Sequence, residues 1–161
     1  MSLPGWVPPL EYLNAYGGDF SHYLEVIYQI FCTDFVMSKP MFEGKRLGLK
    51  RHPVIHGKEA TFWHMISEGY EEAERLPDLR RCERIRWPRP IIENTADNTL
   101  KVWRDPNGSG HRVLIWFAAA EYLVVLDERK NYILPWTAYP VEREHQRRKL
   151  EQRWKRYRKE N

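Results

Sequence analysis

An α+β fold, with N-terminal helices followed by a four-stranded antiparallel sheet and a C-terminal basic helix, is predicted by three features of the sequence. Apolar residues recur at helical spacing before Asn94, alternation replaces that period from Thr99 to Tyr139, and the stretch from Val141 is helical again and dense in Arg and Lys. The 161 residues read as a single domain over 1–161, with 1–41 as an N-terminal arm and helix and 42–161 as the main body. A chain of this length buries about 70% of its unfolded surface and needs neither disulfide nor metal to hold a core.

Residues 1–18 are rich in Pro, Gly and aromatics, which predicts an irregular arm packed through Trp6, Tyr12 and Tyr16. Asp19 is a good cap for a helix carrying Leu24, Ile27, Tyr28, Phe31 and Phe35 on one face and ending near Lys39-Pro40. Lys45 to Lys50 suits a short strand and Arg51 to Gly57 a loop. A second helix follows from Lys58 to Glu68, closed by Gly69, with Phe62, Trp63 and Ile66 on its buried side. A third starts after Pro77-Asp78 and stops near Trp87, since Pro88 and Pro90 follow. The strands are Thr99 to Arg104, Arg112 to Phe117, Tyr122 to Asp127 and Tyr132 to Tyr139. A turn at Asp105 to Gly110 and another at Glu128 to Asn131 make them an antiparallel meander. Pro135 lacks an amide donor, so the last strand must bulge there or lie at an unpaired edge. Val141 to Lys159 is a helix with a narrow apolar seam of Leu150, Trp154 and Tyr157.

Hydrophobic residues at 42% and charged residues at 30% exclude a disordered or collagen-like chain. No apolar run approaches the about 18 residues that cross a bilayer, and the first six residues lack the basic start and apolar stretch of a signal peptide, so a cytoplasmic location without membrane association is expected. Cys32 and Cys82 show no CxxC or Cys/His pairing and fit reduced thiols. Charge is uneven. Residues 1–44 hold one base against five acids. Residues 75–90 hold six arginines against two acids, and 141–161 nine bases against four. Two basic islands of this kind either neutralise phosphates, which makes nucleic acid a partner, or form solvated helix faces.

Residues two apart on a strand share a face, so Thr137 and Tyr139 project together. Such a pair can donate hydrogen bonds to a phosphate oxygen, or simply be surface side chains chosen for strand propensity. Arg112 begins a face shared with Leu114 and Trp116 and either clamps phosphate or pairs with Asp105 or the opposite strand. His64 lies about 100° from Trp63, at the margin of the buried stripe, where it serves either as a general base or as a hydrogen-bonded structural residue. His52 and His56 are separated by Pro53 and have no third partner, so no metal site is expected. No phosphate-binding glycine loop, GxSxG turn or HExxH sequence is present.

Three segments carry a resemblance: Gly57-Lys58-Glu59-Ala60-Thr61-Phe62-Trp63-His64, Arg80 through Pro90, and, most specific, Tyr132-Ile133-Leu134-Pro135-Trp136-Thr137-Ala138-Tyr139-Pro140. Over roughly residues 42–160 the chain resembles the phage-associated branch of the superfamily named for barnase, EndoU, the nuclease colicins and RelE. The resemblance implies a nuclease-like region over 42–161, cleavage of RNA without metal or other cofactor, and often a toxin role with an antitoxin or immunity protein as partner. It puts His64 in the family's helix-histidine position and Thr137 and Tyr139 in its last-strand motif. The tryptophan-rich sequence and the acidic first 40 residues fall outside the family pattern.

The expectation is therefore a hydrolase acting as an endoribonuclease through the RNA 2′-hydroxyl. His64, Arg112, Thr137 and Tyr139 form its catalytic set, and Arg81, Arg84, Arg148 and Arg153 hold substrate. Exposed tryptophans would stack unpaired bases. The alternative is a non-catalytic RNA-binding or protein-interaction module using the same basic surface.

Overall fold

The structure, a computed structural model, describes residues 2–69, 71 and 74–158; Lys159, expected in the last helix, lies outside the described residues. Its element order is α1 (Phe20–Phe31), β1 (Met41–Phe42), β2 (Lys45–Arg46), α2 (Ala60–Ile66), β3 (Ser67–Glu68), β4 (Leu76–Pro77), α3 (Leu79–Glu83), α4 (Pro88–Glu93), β5 (Lys101–Asn107), β6 (Gly110–Phe117), β7 (Tyr122–Glu128), β8 (Ile133–Pro140) and α5 (Glu144–Tyr157). No described helix is long and apolar enough to cross a membrane.

The last four strands form the expected antiparallel meander in the order β5-β6-β7-β8. Both faces of this sheet are covered. Val113, Ile115, Phe117, Val124 and Leu126 meet Tyr23, Ile27, Phe31, Phe62 and Ile66 from α1 and α2 on one side. On the other, Trp103, Leu114, Trp116, Leu123 and Val125 meet Leu150 of α5, with Trp154 and Tyr157 beside it. Covering both faces explains why Tyr122 to Asp127 is buried without interruption. The helix α5 is otherwise highly charged and is fixed by Glu151, which accepts from Lys101 Nζ at 2.7 Å and Trp116 Nε1 at 2.9 Å. Burial alone would raise that carboxyl. The hydrogen bonds from Lys101 and Trp116 outweigh it and hold the group below the ordinary range.

Several boundaries differ from the sequence reading, each for a local reason. Asp19 caps α1 as expected, accepting from the His22 amide at 3.2 Å. Beyond Phe31 the chain continues through a wider π turn, Cys32–Val36. Lys45–Arg46 is only two residues of strand, paired with Met41–Phe42 across the turn Glu43-Gly44. The second helix is shorter than Lys58–Glu68, because Ser67–Glu68 leaves it to pair with Leu76–Pro77. Pro88 and Pro90 do not stop a helix but start one, α4, where a missing amide donor costs nothing. The β5-β6 turn is tight, at Gly108-Ser109, so Pro106 lies within an edge strand opposite His111. Tyr12 is exposed rather than packed, whereas Trp6 packs against Phe117 with the rings tilted and 5.5 Å apart.

Two consequences of this packing can be measured. A Cβ on Gly110 would collide with the Glu128 carbonyl oxygen and lie 2.9 Å from Arg129 Cδ. Gly110→Ala is therefore expected to destabilise the fold by about 1–3 kcal/mol in urea unfolding. Burial pushes the Asp34 carboxyl up to about 6, with Arg89 and Arg86 pulling the other way. A raised carboxyl favours the folded state fully below its ordinary value near 4 and loses that contribution as pH rises through about 6. Asp34→Asn should accordingly match wild-type stability at about pH 4 and exceed it by about 1–2 kcal/mol above pH 7, allowing for partial solvent screening.

Candidate functional site

The site is built where the C-terminal end of α2 meets the edge strand β8. Leu126 pairs with Pro135 and Val125 with Thr137, which leaves Trp136 as an extra residue in a bulge at the expected position. Thr137 and Tyr139 lie opposite Val125 and Leu123, so both point to the α5 side of the sheet, as strand alternation required. Arg112 lies opposite Asp127 on that same face.

A helix end leaves carbonyls without partners, and here side chains supply donors. The Ser67 hydroxyl donates to the Trp63 carbonyl, and Thr137 Oγ1 donates to the His64 carbonyl at 2.8 Å. The Asp78 amide donates to the Ile66 carbonyl at 2.7 Å. Arg81 Nη1 donates to the Ser67 carbonyl at 2.7 Å, and Arg75 donates to the same oxygen and to Gly69. Two guanidinium groups at a helix C-terminus also face the negative end of its dipole.

Beside this junction is an open cleft of about 430 Å³, lined by His64, Arg75, Arg81, Trp136, Thr137 and Tyr139 with Glu68 and Gly69 at its rim. His64 is not at a half-exposed margin. The whole of α2 is buried, between α1, α3 and β8, and His64 is 5% exposed. Its ring meets Trp136 edge-on at 5.1 Å. The Arg81 guanidinium lies 5.0 Å over the Tyr139 ring and 3.5 Å from Glu68 Oε2. Burial raises the Tyr139 phenol, opposed by Arg81 and Arg153, so it stays protonated and able to donate near neutral pH. Tyr139 also borders a smaller cavity of about 180 Å³ with Lys149, Leu150 and Arg153.

Four residues from the sequence reading therefore share the cleft: His64, Thr137, Tyr139 and Arg81. Arg112 stands behind it, stacked 4.0 Å from the Trp136 ring and 3.8 Å from Asp127. With its oxygen turned toward the guanidinium, the Asn107 amide accepts from Arg112 Nε at 2.8 Å. Burial lowers the Arg112 pKa, with Asp127 opposing. Arg153 lines the adjoining cavity and lies 3.4 Å from Asp105. Arg84 is elsewhere, over Trp87 at 5.4 Å and bonded to the Arg80 carbonyl. Arg148 is exposed on α5 beside Glu144. Trp6, Trp136 and Trp154 are half-buried and the other four tryptophans are buried, so none is exposed in the way expected for base stacking. Sequence reasoning missed Arg75 and Trp136. The signal for Trp136 was Pro135, whose expected bulge puts the next residue on the Thr137 face.

Among the described residues no group of three His, Cys, Asp or Glu is arranged to hold a metal ion. Comparison with protein families, curated proteins and solved structures finds no match to this chain. If the Thr137 hydroxyl holds α2 against β8, Thr137→Val should cost about 0.5–1.5 kcal/mol in urea unfolding, whereas Thr137→Ser should keep most of the wild-type stability.

Proposed function

We propose that the protein is an endoribonuclease that needs no metal, cutting RNA by attack of a 2′-hydroxyl on the adjacent phosphorus. The observation that supports this reading is the shared cleft, which brings an imidazole, a phenol and a guanidinium from three separate stretches of chain around one space large enough for a phosphodiester. His64 accepts the 2′-hydroxyl proton as the 2′-oxygen–phosphorus bond forms. Tyr139 gives its proton to the departing 5′-oxygen as that bond breaks, leaving a 2′,3′-cyclic phosphate and a 5′-hydroxyl. Arg81 stabilises charge growing on the phosphoryl oxygens. Its pairing with Glu68 is no obstacle, because Glu68 is 74% exposed and such a pair is weak enough for a phosphate to replace.

Thr137 and Arg112 are positioning residues in this reading. The first fixes the α2 backbone at His64, and the second holds the Trp136 ring against which His64 rests. Arg153, with Lys149, takes the neighbouring phosphate, and Arg148 adds charge further along α5. Arg84 takes no part. A second reading, RNA binding without turnover, is favoured by the near-complete burial of His64.

Purified protein incubated with RNA in excess chelator should yield 2′,3′-cyclic phosphate ends. His64→Ala and Tyr139→Phe should each lower kcat by about 10²–10⁴-fold. RNA left intact but bound in a salt-sensitive way would establish the second reading instead, and cleavage that survives the double substitution would defeat the mechanism.

A further inference from the structure

At the opposite end of β8, a pocket of about 220 Å³ opens between the β7-β8 turn and the β1-β2 hairpin. Lys45, Arg46, Arg129 and Lys130 line it, with Glu128 and Tyr132. Lys45, Arg46 and Lys130 are exposed, and none is ion-paired among the described residues. The carboxylate present is already engaged: Glu128 accepts from Arg104 Nε at 2.7 Å and Nη2 at 3.1 Å, which holds it ionised below the ordinary range. Arg129 is fixed by Asp127 at 3.1 Å and by the Asn107 carbonyl. The pocket thus gathers cations in excess of its anions, a self-repulsion that a bound anion relieves.

The chain links this pocket to the cleft. The Gly48 amide donates to the Ile133 carbonyl at 2.7 Å, and Lys50 Nζ sits 5.3 Å over the Trp136 ring, so residues 45–50 run alongside β8 in its own direction. Bases therefore follow one edge strand, from Lys45 and Arg46, past Lys50, to Arg81 and then Arg153. From Ile133 to Thr137 is about 13 Å at the usual rise of a strand. A row of positive charge at intervals, with an aromatic ring at its end, matches a single-stranded polynucleotide, since Tyr132 is 53% exposed and presents a face on which a base can stack.

We propose that this pocket is a second phosphate site, holding a flanking phosphate of an RNA strand laid along β8 whose scissile phosphate occupies the cleft. The inference rests on the ribonuclease reading for the identity of the strand. It predicts a length dependence: a dinucleotide reaches only the cleft, whereas a longer strand occupies both sites.

The test pairs wild type with a Lys45→Ala, Arg46→Ala, Lys130→Ala triple variant, all three being surface positions outside the core. Binding is read by fluorescence anisotropy with a long 2′-O-methyl RNA, which binds without being cut, and turnover is read with a dinucleotide. The triple variant should bind the long strand at least tenfold more weakly, with its salt slope reduced by about 2–3, while dinucleotide cleavage is unchanged. Equal binding of the long strand by both proteins would overturn the proposal while leaving the cleavage reading intact. Loss of affinity for polyglutamate with RNA affinity preserved would overturn it in favour of an acidic protein partner. Weakened binding of the long strand in a protein that never cuts would uphold this pocket and sink the cleavage reading. Wild type that binds no RNA at low salt would remove both.

Discussion

The cleft depends on one defect in an edge strand. Pro135 offers no amide to the ladder, so β8 cannot run past it in regular register, and the strand absorbs the irregularity as one extra residue. Without that residue Trp136 and Thr137 would point to opposite faces. With it, the indole and the hydroxyl reach the same side, where the first meets His64 and Arg112 and the second meets the α2 backbone. A bulge on an interior strand would be buried on both sides. On β8, which has only β7 as a ladder neighbour, it is free to engage a helix instead.

That engagement is what allows so short a helix to be stable. Seven residues are too few for a helix to hold itself in water, so α2 survives on packing and on its ends. At its start the amides of Ala60 and Thr61 donate to the carbonyls of Arg51 and Lys50, and the Thr61 hydroxyl closes a second pair of bonds with Lys50. At its finish the donors are Ser67, Thr137, Asp78 and two arginines. Three of these groups, Thr137, Arg75 and Arg81, also line the cleft. A substitution there acts on stability and on the site together, which is why Thr137 separates hydroxyl from shape only when serine and valine are compared.

Alternation located all four strands of the main sheet within a few residues, and the apolar seam of α5 was legible from Leu150, Trp154 and Tyr157. The α5 seam comes from a helix packed on one side only, and the strands show as runs of apolar residues bounded by turns because both faces of their sheet are covered. Where several partners surround an element, periodicity fails. His64 reads as marginal on a helical wheel because Phe62, Trp63 and Ile66 mark an apolar side. The polar side of the wheel is buried too, by β8 and α3, and no pattern within residues 58–69 announces that. Pro88 and Pro90 misled for a different reason: proline ends one helix and begins another with equal ease, and only the tertiary position of α4 decides which. The cleft residues His64, Thr137, Tyr139 and Arg81 were identifiable as chemical types, but Arg84 and Arg81, three apart on nearly the same turn, could not be told apart by charge.

What distinguishes them is place: Arg81 lines the cleft and Arg84 does not, although each is held by a backbone carbonyl and an aromatic face. Arg104 is bonded to Glu128 and Glu43, Arg86 to Glu11 and Arg129 to Asp127, and a carboxylate that fixes a guanidinium also cancels its charge. Arg81, like Arg84, is fixed differently. Among the described residues its direct hydrogen bond goes to the Ser67 carbonyl, its flat face rests on the Tyr139 ring, and Asp78 and Glu68 stand at 3.7 and 3.5 Å. Its Nε is buried with no hydrogen-bond partner among the described residues. A carbonyl and an aromatic face orient a cation while leaving most of its field in place. The fold thus sets a 10%-exposed guanidinium in the lining of an open cavity with one buried donor unused among the described residues, and a buried donor left unmatched costs stability.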